Sequence, residues 1–334
     1  MNRERMKTGI IGAGGWGTAL AMVLAANQHQ TTLWTRSEDV ANEINSSHSN
    51  SIFLPGVTIP SSIRATTNPR DLDDTELLVI AVPTQYIRTI LSTYQFDFKG
   101  KIIVSGAKGI ERHTLLRVSE ILKDAAGIND RFSVLTGPSH AEEVARLMPT
   151  TVVAASTQPD IARIVQKAFT TSAFRVYSST DVIGAELGGA LKNVIAIAAG
   201  IIDGVKMGDN TKAALITRGL AEMTRFGTAL GAEANTFSGL SGLGDLFVTC
   251  SSRHSRNRRV GEQIGAGKSL AEILSETQTV AEGVSTSESA FELSRKHGVE
   301  MPIVEQVYRI LFDGKSPRKA INDLMVRRAK PEQW

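Results

Sequence analysis

The feature that most constrains the fold is a glycine-rich turn near the start of the chain. Gly12, Gly14 and Gly17 have the spacing G-x-G-x-x-G, after an apolar stretch at 7–11 and before a helical pattern at 18–26. A strand that turns through glycines into a helix is typical of a dinucleotide-binding unit. The first glycine permits the turn, the second admits a pyrophosphate, and the third brings helix and strand together. The alternative is a glycine-rich turn that binds nothing.

Strand and helix patterns alternate through the first half of the chain. Helical patterns at 113–126 and 161–169 lie among apolar segments that we predict as strands, at 31–35, 77–82, 101–105, 133–135, 150–155 and 174–177. This alternation predicts an α/β fold, with a Rossmann-type, doubly wound parallel sheet covered by helices on both faces. Pro83 ends one strand, either as a simple stop or at the ligand crevice.

The pattern changes after about residue 179. From residue 181 to residue 334 we predict no strand, and apolar residues recur at helical spacing in 213–230, 269–274, 285–297 and 303–311. The sequence therefore predicts two domains. Residues 1–185 would form the dinucleotide-binding domain, and residues 186–334 would form an all-helical substrate and catalytic domain.

Composition excludes several classes of protein. With 37 Lys and Arg against 34 Asp and Glu, the net charge of +3 indicates neither a nucleic-acid nor a membrane surface. A single cysteine, Cys250, excludes an intrachain disulfide framework and a multi-thiolate metal site, and we predict no metal. We expect Cys250 to be a small buried residue. The longest apolar run, 194–202, is too short for a membrane span, so we expect a cytoplasmic protein without membrane insertion.

Arg36 bears on the choice of cofactor. It stands nineteen positions after Gly17, where an acidic residue usually accepts the ribose 2′-hydroxyl of NAD. An arginine there can pair with a 2′-phosphate or stack on adenine. We therefore predict that NADPH is accepted and preferred over NADH. The alternative is a solvated surface arginine.

Lys192 stands among apolar and small residues in the segment 188–194. Burial there would lower its pKa and suit it to proton transfer. The alternative is a lysine that extends along a helix flank to solvent. Two further segments rich in small and polar residues, 107–111 and 137–143, each follow a predicted strand.

A basic run at 253–259 follows a glycine-rich segment at 239–246. The run lacks interleaved aromatic residues, which argues against nucleic acid. A compact group of Arg, Asn and Ser beside a glycine-rich turn suits a single phosphate, because guanidinium binds phosphate through paired hydrogen bonds. A solvated charged face is the alternative.

The chain resembles bacterial NAD(P)-dependent glycerol-3-phosphate dehydrogenases. The matching segments, in order between residues 12 and 284, are GAGGWGTALA, AKGIE, GPSHAEEVA, GALKNVIAIAAG, GDNTKAALITRGLAEM, GLSGLGDLFVTC, SRNRRVG and VAEGV. The resemblance implies a Rossmann domain and a helical substrate domain. It also implies reversible hydride transfer between NAD(P)H and a small phosphorylated substrate, dihydroxyacetone phosphate. The product would be sn-glycerol 3-phosphate for phospholipid synthesis.

The resemblance further implies roles for individual residues. Lys192 would be the proton donor and acceptor. Our own mechanistic hypothesis adds that Asp245 holds its ammonium group through a direct hydrogen bond and that Lys108 adds positive charge nearby. The implied substrate contacts are Lys108, Gly137, Ser139, Lys192, Asp245, Ser255, Arg256 and Asn257. The implied cofactor contacts, besides fingerprint residues Gly12, Gly14 and Gly17, are Gly15, Trp16, Arg36, Lys108, Ala141, Arg256, Val280 and Glu282. Two positions depart from the pattern, since His140 replaces a common phenylalanine and Ser241 a common alanine.

Two other classes of protein stay open. A dehydrogenase of the 3-hydroxyacid or ketopantoate type also has a lysine near the start of a helical domain, but its carboxylate substrate needs no phosphate group at 255–257. A non-catalytic dinucleotide sensor would bind NADPH and would not need the lysine and the phosphate group together. The sequence does not fix the oligomeric state, and a homodimer is one expectation.

Overall fold

Eight strands form one sheet in the first half of the chain. The computed structural model describes residues 5–276, 280–329 and 331–332, so both outer limits of the predicted domains, residues 1 and 334, lie outside the described residues. The strands lie in the order β3-β2-β1-β4-β5-β6-β7-β8. Their bounds are β1 Lys7–Ile11, β2 Gln30–Trp34, β3 Arg64–Thr66, β4 Leu77–Ile80, β5 Ile102–Ser105, β6 Phe132–Thr136, β7 Thr150–Ala155 and β8 Phe174–Ser179. The strand order reverses between β1 and β4, and ligands bind at such a switch point.

Strands β1 to β6 pair in parallel, which confirms the predicted doubly wound sheet there. One pair departs from the predicted parallel arrangement, because β7 runs antiparallel to β6, with Val134 opposite Ala155. The connection at 137–149 contains only the short helix α5 (Ala141–Ala145), which packs against α1 (Gly15–Ala26). The chain therefore does not cross back over the sheet before β7 begins.

Two differences between the predicted and the observed elements have a clear local cause. The three-residue strand β3 was missed, because so short a segment has no pattern of its own. The helix predicted at 113–126 is α4 (Val118–Ala126), which begins five residues later than predicted. His113 and Leu115 have φ angles of 66° and 61°, a left-handed conformation that does not fit a right-handed helix.

The remaining helices follow in chain order. Those of the first half are α2 Glu38–Ser47, α3 Ile87–Thr93 and α6 Pro159–Phe169. Those of the second half are α7 Val182–Gly204, α8 Asp209–Ala229, α9 Ala234–Ser238, α10 Asp245–Ser251, α11 Arg256–Gly265, α12 Leu270–Ser275, α13 Glu282–Lys296, α14 Pro302–Phe312 and α15 Pro317–Met325. Among the described residues after 180 there is no strand, as predicted.

Helix α7 is the central element of the helical half. It packs against α8, α10, α11 and α13. It is long and apolar enough to cross a membrane by length and composition, which corrects the prediction that no apolar stretch reaches that length. Its most apolar 18-residue window is entirely buried inside the protein, as expected for a helix enclosed by others.

Helices α7 and α11 approach each other closely at glycines. A Cβ added to Gly200 would lie 1.9 Å from the carbonyl oxygen of Arg258, and one added to Gly261 would lie 2.0 Å from that of Ile197. No larger residue fits at either crossing point. This close approach brings the first turn of α11 near Lys192 on α7.

Candidate active site

The glycine turn between β1 and α1 forms an open cradle. Gly12 has a φ angle of +114°, and a Cβ on it would lie 2.7 Å from Val82. A Cβ on Gly17 would lie 1.8 Å from the carbonyl oxygen of Gly12, whereas one on Gly14 would have no atom within 4 Å. Two glycines are thus required by the turn and by packing. Gly14 leaves room for a pyrophosphate at the amino-terminal end of α1.

The other expected cofactor residues surround this turn and the neighbouring strand ends. Arg36 is exposed at the end of β2, next to Ser37, which caps α2. Glu282 begins α13, and its Oε1 accepts the backbone N–H of Thr84, which follows β4, at 2.8 Å. Burial raises the pKa of the Glu282 carboxyl. This hydrogen bond connects the segment after the carboxyl end of β4 to the helical half of the chain.

The remaining expected cofactor residues lie at element starts. Gly15 and Trp16 begin α1, and Ala141 begins α5. A Cβ on Gly15 would lie 3.7 Å from the side chain of Ala141, so the two helix starts are adjacent. Val280 precedes α13 by two residues.

A charged triad lies where the carboxyl ends of the strands adjoin α7 and α10, and its members are Lys192, Asp245 and Lys108. The Nζ of Lys192 donates to Oδ1 of Asp245 at 2.5 Å, and the Nζ of Lys108 donates to Oδ2 at 2.8 Å. Lys192 is 6% exposed and Asp245 is 1% exposed. One carboxylate thus holds two ammonium groups, and the direct contact expected between Lys192 and Asp245 is present. Lys192 does not extend to solvent.

Local structure explains how Asp245 reaches Lys192. A π-helical turn, Leu240–Gly244, leads into α10, and a Cβ on Gly188 would lie 2.4 Å from the carbonyl oxygen of Ser241. Without a side chain at position 188 the turn lies directly on α7. Thr249, one helical turn after Asp245, accepts a second hydrogen bond from Lys192 at 3.0 Å. Sequence reasoning missed Thr249, although the four-residue spacing from Asp245 was a signal for it.

The triad sets the ionisation of its members. Burial lowers the pKa of Lys192 to about 8, with Asp245 opposing that shift and Lys108 adding to it. Burial would raise the pKa of Asp245, but the charges of Lys108 and Lys192 and their hydrogen bonds outweigh it and hold that pKa below its ordinary value. Asp245 is therefore ionised at neutral pH, and Lys192 can gain or lose a proton near physiological pH.

Lys108 also connects the triad to the loop after β6. Its Nζ donates to the carbonyl oxygen of Gly137 at 3.1 Å and lies 3.4 Å from Oγ of Ser139. Gly137 has a φ angle of +140°, and a Cβ there would lie 3.0 Å from Cα of Val152. Three of the expected substrate residues, Lys108, Gly137 and Ser139, thus lie together just beyond the carboxyl ends of β5 and β6.

The remaining expected substrate residues lie at the start of α11. Ser255 is buried, and its Oγ caps the helix by accepting the backbone N–H of Arg258 at 3.2 Å. Arg256 is exposed in the first turn. The buried Asn257 donates to Oδ1 of Asn193 at 2.9 Å and accepts from the backbone N–H of Gly283 at 2.9 Å. The side chain of Asn257 therefore joins three helices, and one of its two amide N–H groups is left unpaired among the described residues.

Asn193 is a second residue to which sequence reasoning gave no role. Its Nδ2 donates to the carbonyl oxygen of Lys108 at 3.1 Å, while its Oδ1 accepts a hydrogen bond from Nδ2 of Asn257. It therefore holds the Lys108 loop against α7 and α11. Its position next to Lys192 in the sequence was the available signal.

Several buried polar atoms near the carboxyl ends of the strands lack hydrogen-bond partners in the described part of the chain. They are Trp16 Nε1, Thr84 Oγ1, Thr136 Oγ1, His140 Nε2 and Ser241 Oγ. Buried polar atoms are nearly always hydrogen-bonded to protein, water or ligand. Together with the open cradle at Gly14, they fit a cleft that binds a dinucleotide and a small polar substrate. The arrangement can perform proton transfer beside a bound cofactor.

Comparisons with known proteins agree with this geometry. The family model described as NAD-dependent glycerol-3-phosphate dehydrogenase N-terminus matches residues 7–162, and the corresponding C-terminus model matches residues 181–322. A curated glycerol-3-phosphate dehydrogenase [NAD(P)+] from Chlorobium phaeobacteroides (strain BS1) is 52% identical over 331 residues, 98% of this chain and 99% of that protein. One from Salinibacter ruber is 51% identical over 97% of this chain and 96% of that protein.

A solved structure shows the same architecture. The crystal structure of glycerol-3-phosphate dehydrogenase from Coxiella burnetii superposes with a TM-score of 0.91 at 36% sequence identity. The match covers 97% of this chain and 99% of that chain. The likeness therefore extends over both the sheet and the helical half.

Proposed function

Because the chain belongs to the NAD-dependent glycerol-3-phosphate dehydrogenase family, we propose that it transfers hydride reversibly between NAD(P)H and dihydroxyacetone phosphate, giving sn-glycerol 3-phosphate. The observation that carries the proposal is the buried triad of Lys192, Asp245 and Lys108 beside the dinucleotide cradle. An amine with a pKa of about 8, fixed by a carboxylate, suits proton exchange with an alcohol or ketone oxygen.

The chain's own residues would handle the proton and the developing charge. Bound NAD(P)H supplies the hydride to the carbonyl carbon. Lys192 stabilises the oxygen on which negative charge develops and gives it a proton. In the oxidative direction the neutral amine of Lys192 accepts the hydroxyl proton. Asp245 holds the ammonium group in place, and Lys108 contributes a second positive charge.

The start of α11 would bind the substrate phosphate. Arg256 is exposed there, next to Ser255 and to the Asn257 amide, which has one N–H without a partner in the described part of the chain. Guanidinium suits a phosphate because it offers paired donors. Binding energy gained at this remote group positions the ketone against the cofactor and contributes to kcat as well as to KM.

We also propose that NADPH is preferred over NADH, through Arg36. The support is its exposed position just after β2, in a segment, residues 30–37, that contains no acidic residue. Arg36→Ala should raise the KM for NADPH about tenfold and leave the KM for NADH within about twofold, since only NADPH carries the 2′-phosphate. Equal changes for both cofactors would remove Arg36 from this role.

The proposal includes the cellular setting. The enzyme would supply glycerol 3-phosphate for phospholipid synthesis in the cytoplasm, as a homodimer and without membrane insertion. The burial of α7, the one helix among the described residues that is long and apolar enough to span a membrane, supports the last point. We place the division between the dinucleotide-binding and substrate domains at residue 185.

The decisive experiment follows absorbance at 340 nm with dihydroxyacetone phosphate and either NADPH or NADH. Rapid oxidation that is absent with unphosphorylated dihydroxyacetone supports both the reaction and the phosphate site. Turnover of a ketopantoate or 3-oxoacid substrate without turnover of dihydroxyacetone phosphate would favour the related dehydrogenase class. NADPH binding without turnover of any ketone would favour a dinucleotide sensor.

A further inference from the structure

Two histidines from distant parts of the chain contact each other near the triad. His140 lies between β6 and α5, directly after Ser139, and His254 lies between α10 and α11, directly before Ser255. Their ring centroids are 5.9 Å apart, with an angle of 52° between the ring planes. The contact joins the loop that carries Ser139 to the loop that leads to Arg256.

The imidazole of His140 has an unused hydrogen-bonding atom. Its Nε2 is buried and has no partner among residues 5–276, 280–329 and 331–332. Burial is the largest cause that lowers the pKa of His140, and the positive charge of Lys192 adds to it. The carboxylates of Glu142, Glu143 and Asp245 oppose this shift. The ring is therefore neutral at neutral pH and carries one N–H. A buried ring nitrogen that has no partner among the described residues calls for a partner on a ligand. A phosphate oxygen, which accepts hydrogen bonds, suits the tautomer that carries the proton on Nε2.

We propose that His140 is a specificity-determining residue that donates a hydrogen bond from Nε2 to the phosphate of the substrate. The proposal rests on the function proposed above. Lys108 and Lys192 are bonded to Asp245 at the reacting end, whereas the contact with His254 places His140 beside the segment 255–257. A phosphate oxygen is the acceptor that this corner of the cleft lacks. The imidazole would thereby distinguish a phosphorylated ketone from an unphosphorylated one.

Three substitutions separate hydrogen bonding from packing. His140→Phe keeps a ring against His254 and removes both nitrogens. His140→Gln places an amide N–H near the position of Nε2, whereas His140→Asn reaches only as far as Nδ1. We expect the Phe and Asn variants to raise the KM for dihydroxyacetone phosphate about tenfold, as for a hydrogen bond to a charged group. The Gln variant should stay within about threefold of wild type.

Two further readouts identify the group that His140 contacts. In the Phe variant, the KM for NADPH should change by less than about threefold, because the lost hydrogen bond is made to the substrate phosphate and not to the cofactor. The Ki of inorganic phosphate, as a competitor of dihydroxyacetone phosphate, should rise by the same factor as the KM. A KM that rises without a matching rise in Ki would place the bond elsewhere on the substrate and overturn the proposal.

The remaining outcomes are also distinct. An unchanged KM in the Phe variant, or a KM for NADPH raised to the same extent, would overturn the role of His140 and leave the proposed reaction standing. If the wild-type protein does not reduce dihydroxyacetone phosphate, the proposed function itself fails. Calorimetric titration of wild type and His140→Phe with inorganic phosphate then decides whether His140 contributes to an anion site. Equal affinities would overturn the proposal.

Discussion

The Nζ of Lys192 lies 2.5 Å from Oδ1 of Asp245 in a pair that is almost completely buried. Asp245 offers its other oxygen to Lys108, so with Lys192 protonated the triad carries one net positive charge. When Lys192 gives up its proton the triad becomes neutral. Loss of the proton is thus favoured by desolvation and by Lys108, and is opposed by Asp245.

Replacing Lys192 should abolish most of the proton transfer. We expect Lys192→Ala to lower kcat about 100-fold or more, the low end of general acid–base effects, while NADPH still binds. The measurements are steady-state kinetics and the NADPH dissociation constant. Lys296→Ala, at an exposed position in α13, is the control and should retain wild-type kcat. A folded Lys192→Ala protein with near wild-type kcat would remove the lysine from its role.

The pH profile should follow the protonation of Lys192. Ketone reduction needs the ammonium form, so kcat/KM should fall as the pH rises through about 8. Alcohol oxidation needs the neutral amine, so its kcat/KM should fall as the pH drops through the same value. Because Asp245 raises the pKa of Lys192, Asp245→Asn should move both limbs to lower pH. Limbs that stay in place would show that another group titrates.

The start of α11 can be tested with a pair of arginines on one helix. Arg256 and Arg259 are both exposed, but only Arg256 lies in the first turn next to Ser255. We expect Arg256→Ala to raise the KM for dihydroxyacetone phosphate at least about tenfold, as for loss of a charge-assisted bond. Arg259→Ala should leave that KM within about twofold. Equal effects of the two substitutions would place the phosphate elsewhere.

The sheet and the helical half were largely predictable because their patterns are local. Continuous apolar runs such as that of β4 mark strands that are buried on both faces, and helical spacing marks α13 and α14. The direction of β7 was not predictable, since strand direction depends on where the connecting chain travels. The left-handed residues before α4 have no signature in apolar spacing either.

The site was predictable only in part. The glycine turn has its own spacing, and the small residues around Lys192 indicated burial. The pairing of Lys192 with Asp245 spans 53 positions and that of Lys108 with Asp245 spans 137. No local pattern encodes contacts at such separations. The contact of Lys192 with Asp245 was expected only as a mechanistic hypothesis, and the contact of Lys108 with Asp245 was not predicted. The contacts of Thr249 with Lys192 and of Asn193 with Lys108 and Asn257 became evident only from the packing of the helices.

The two outer glycines of the turn should respond differently from the central one. A Cβ on Gly17 would overlap the carbonyl oxygen of Gly12, so Gly17→Ala should lower Tm strongly or prevent folding. A Cβ on Gly14 meets no atom, so Gly14→Ala should keep the wild-type Tm. It should nevertheless weaken NADPH binding about tenfold or more, because the methyl group would occupy the approach of the pyrophosphate. Thermal melts of the two variants check the Tm values, and NADPH titration of Gly14→Ala checks the affinity. Unchanged affinity in Gly14→Ala would place the pyrophosphate elsewhere.

Glu222 should make stability depend on pH. Its buried carboxyl accepts the backbone N–H of Ile303 at the start of α14, and burial raises its pKa from 4.5 to about 7. Between those values the folded chain retains a proton that the unfolded chain has released, so the free energy of unfolding falls as the pH rises, by up to about 3 kcal/mol. Glu222→Gln should lose less stability than wild type between pH 4.5 and pH 8 in urea unfolding. Parallel stability curves for the two proteins would show that Glu222 has no raised pKa.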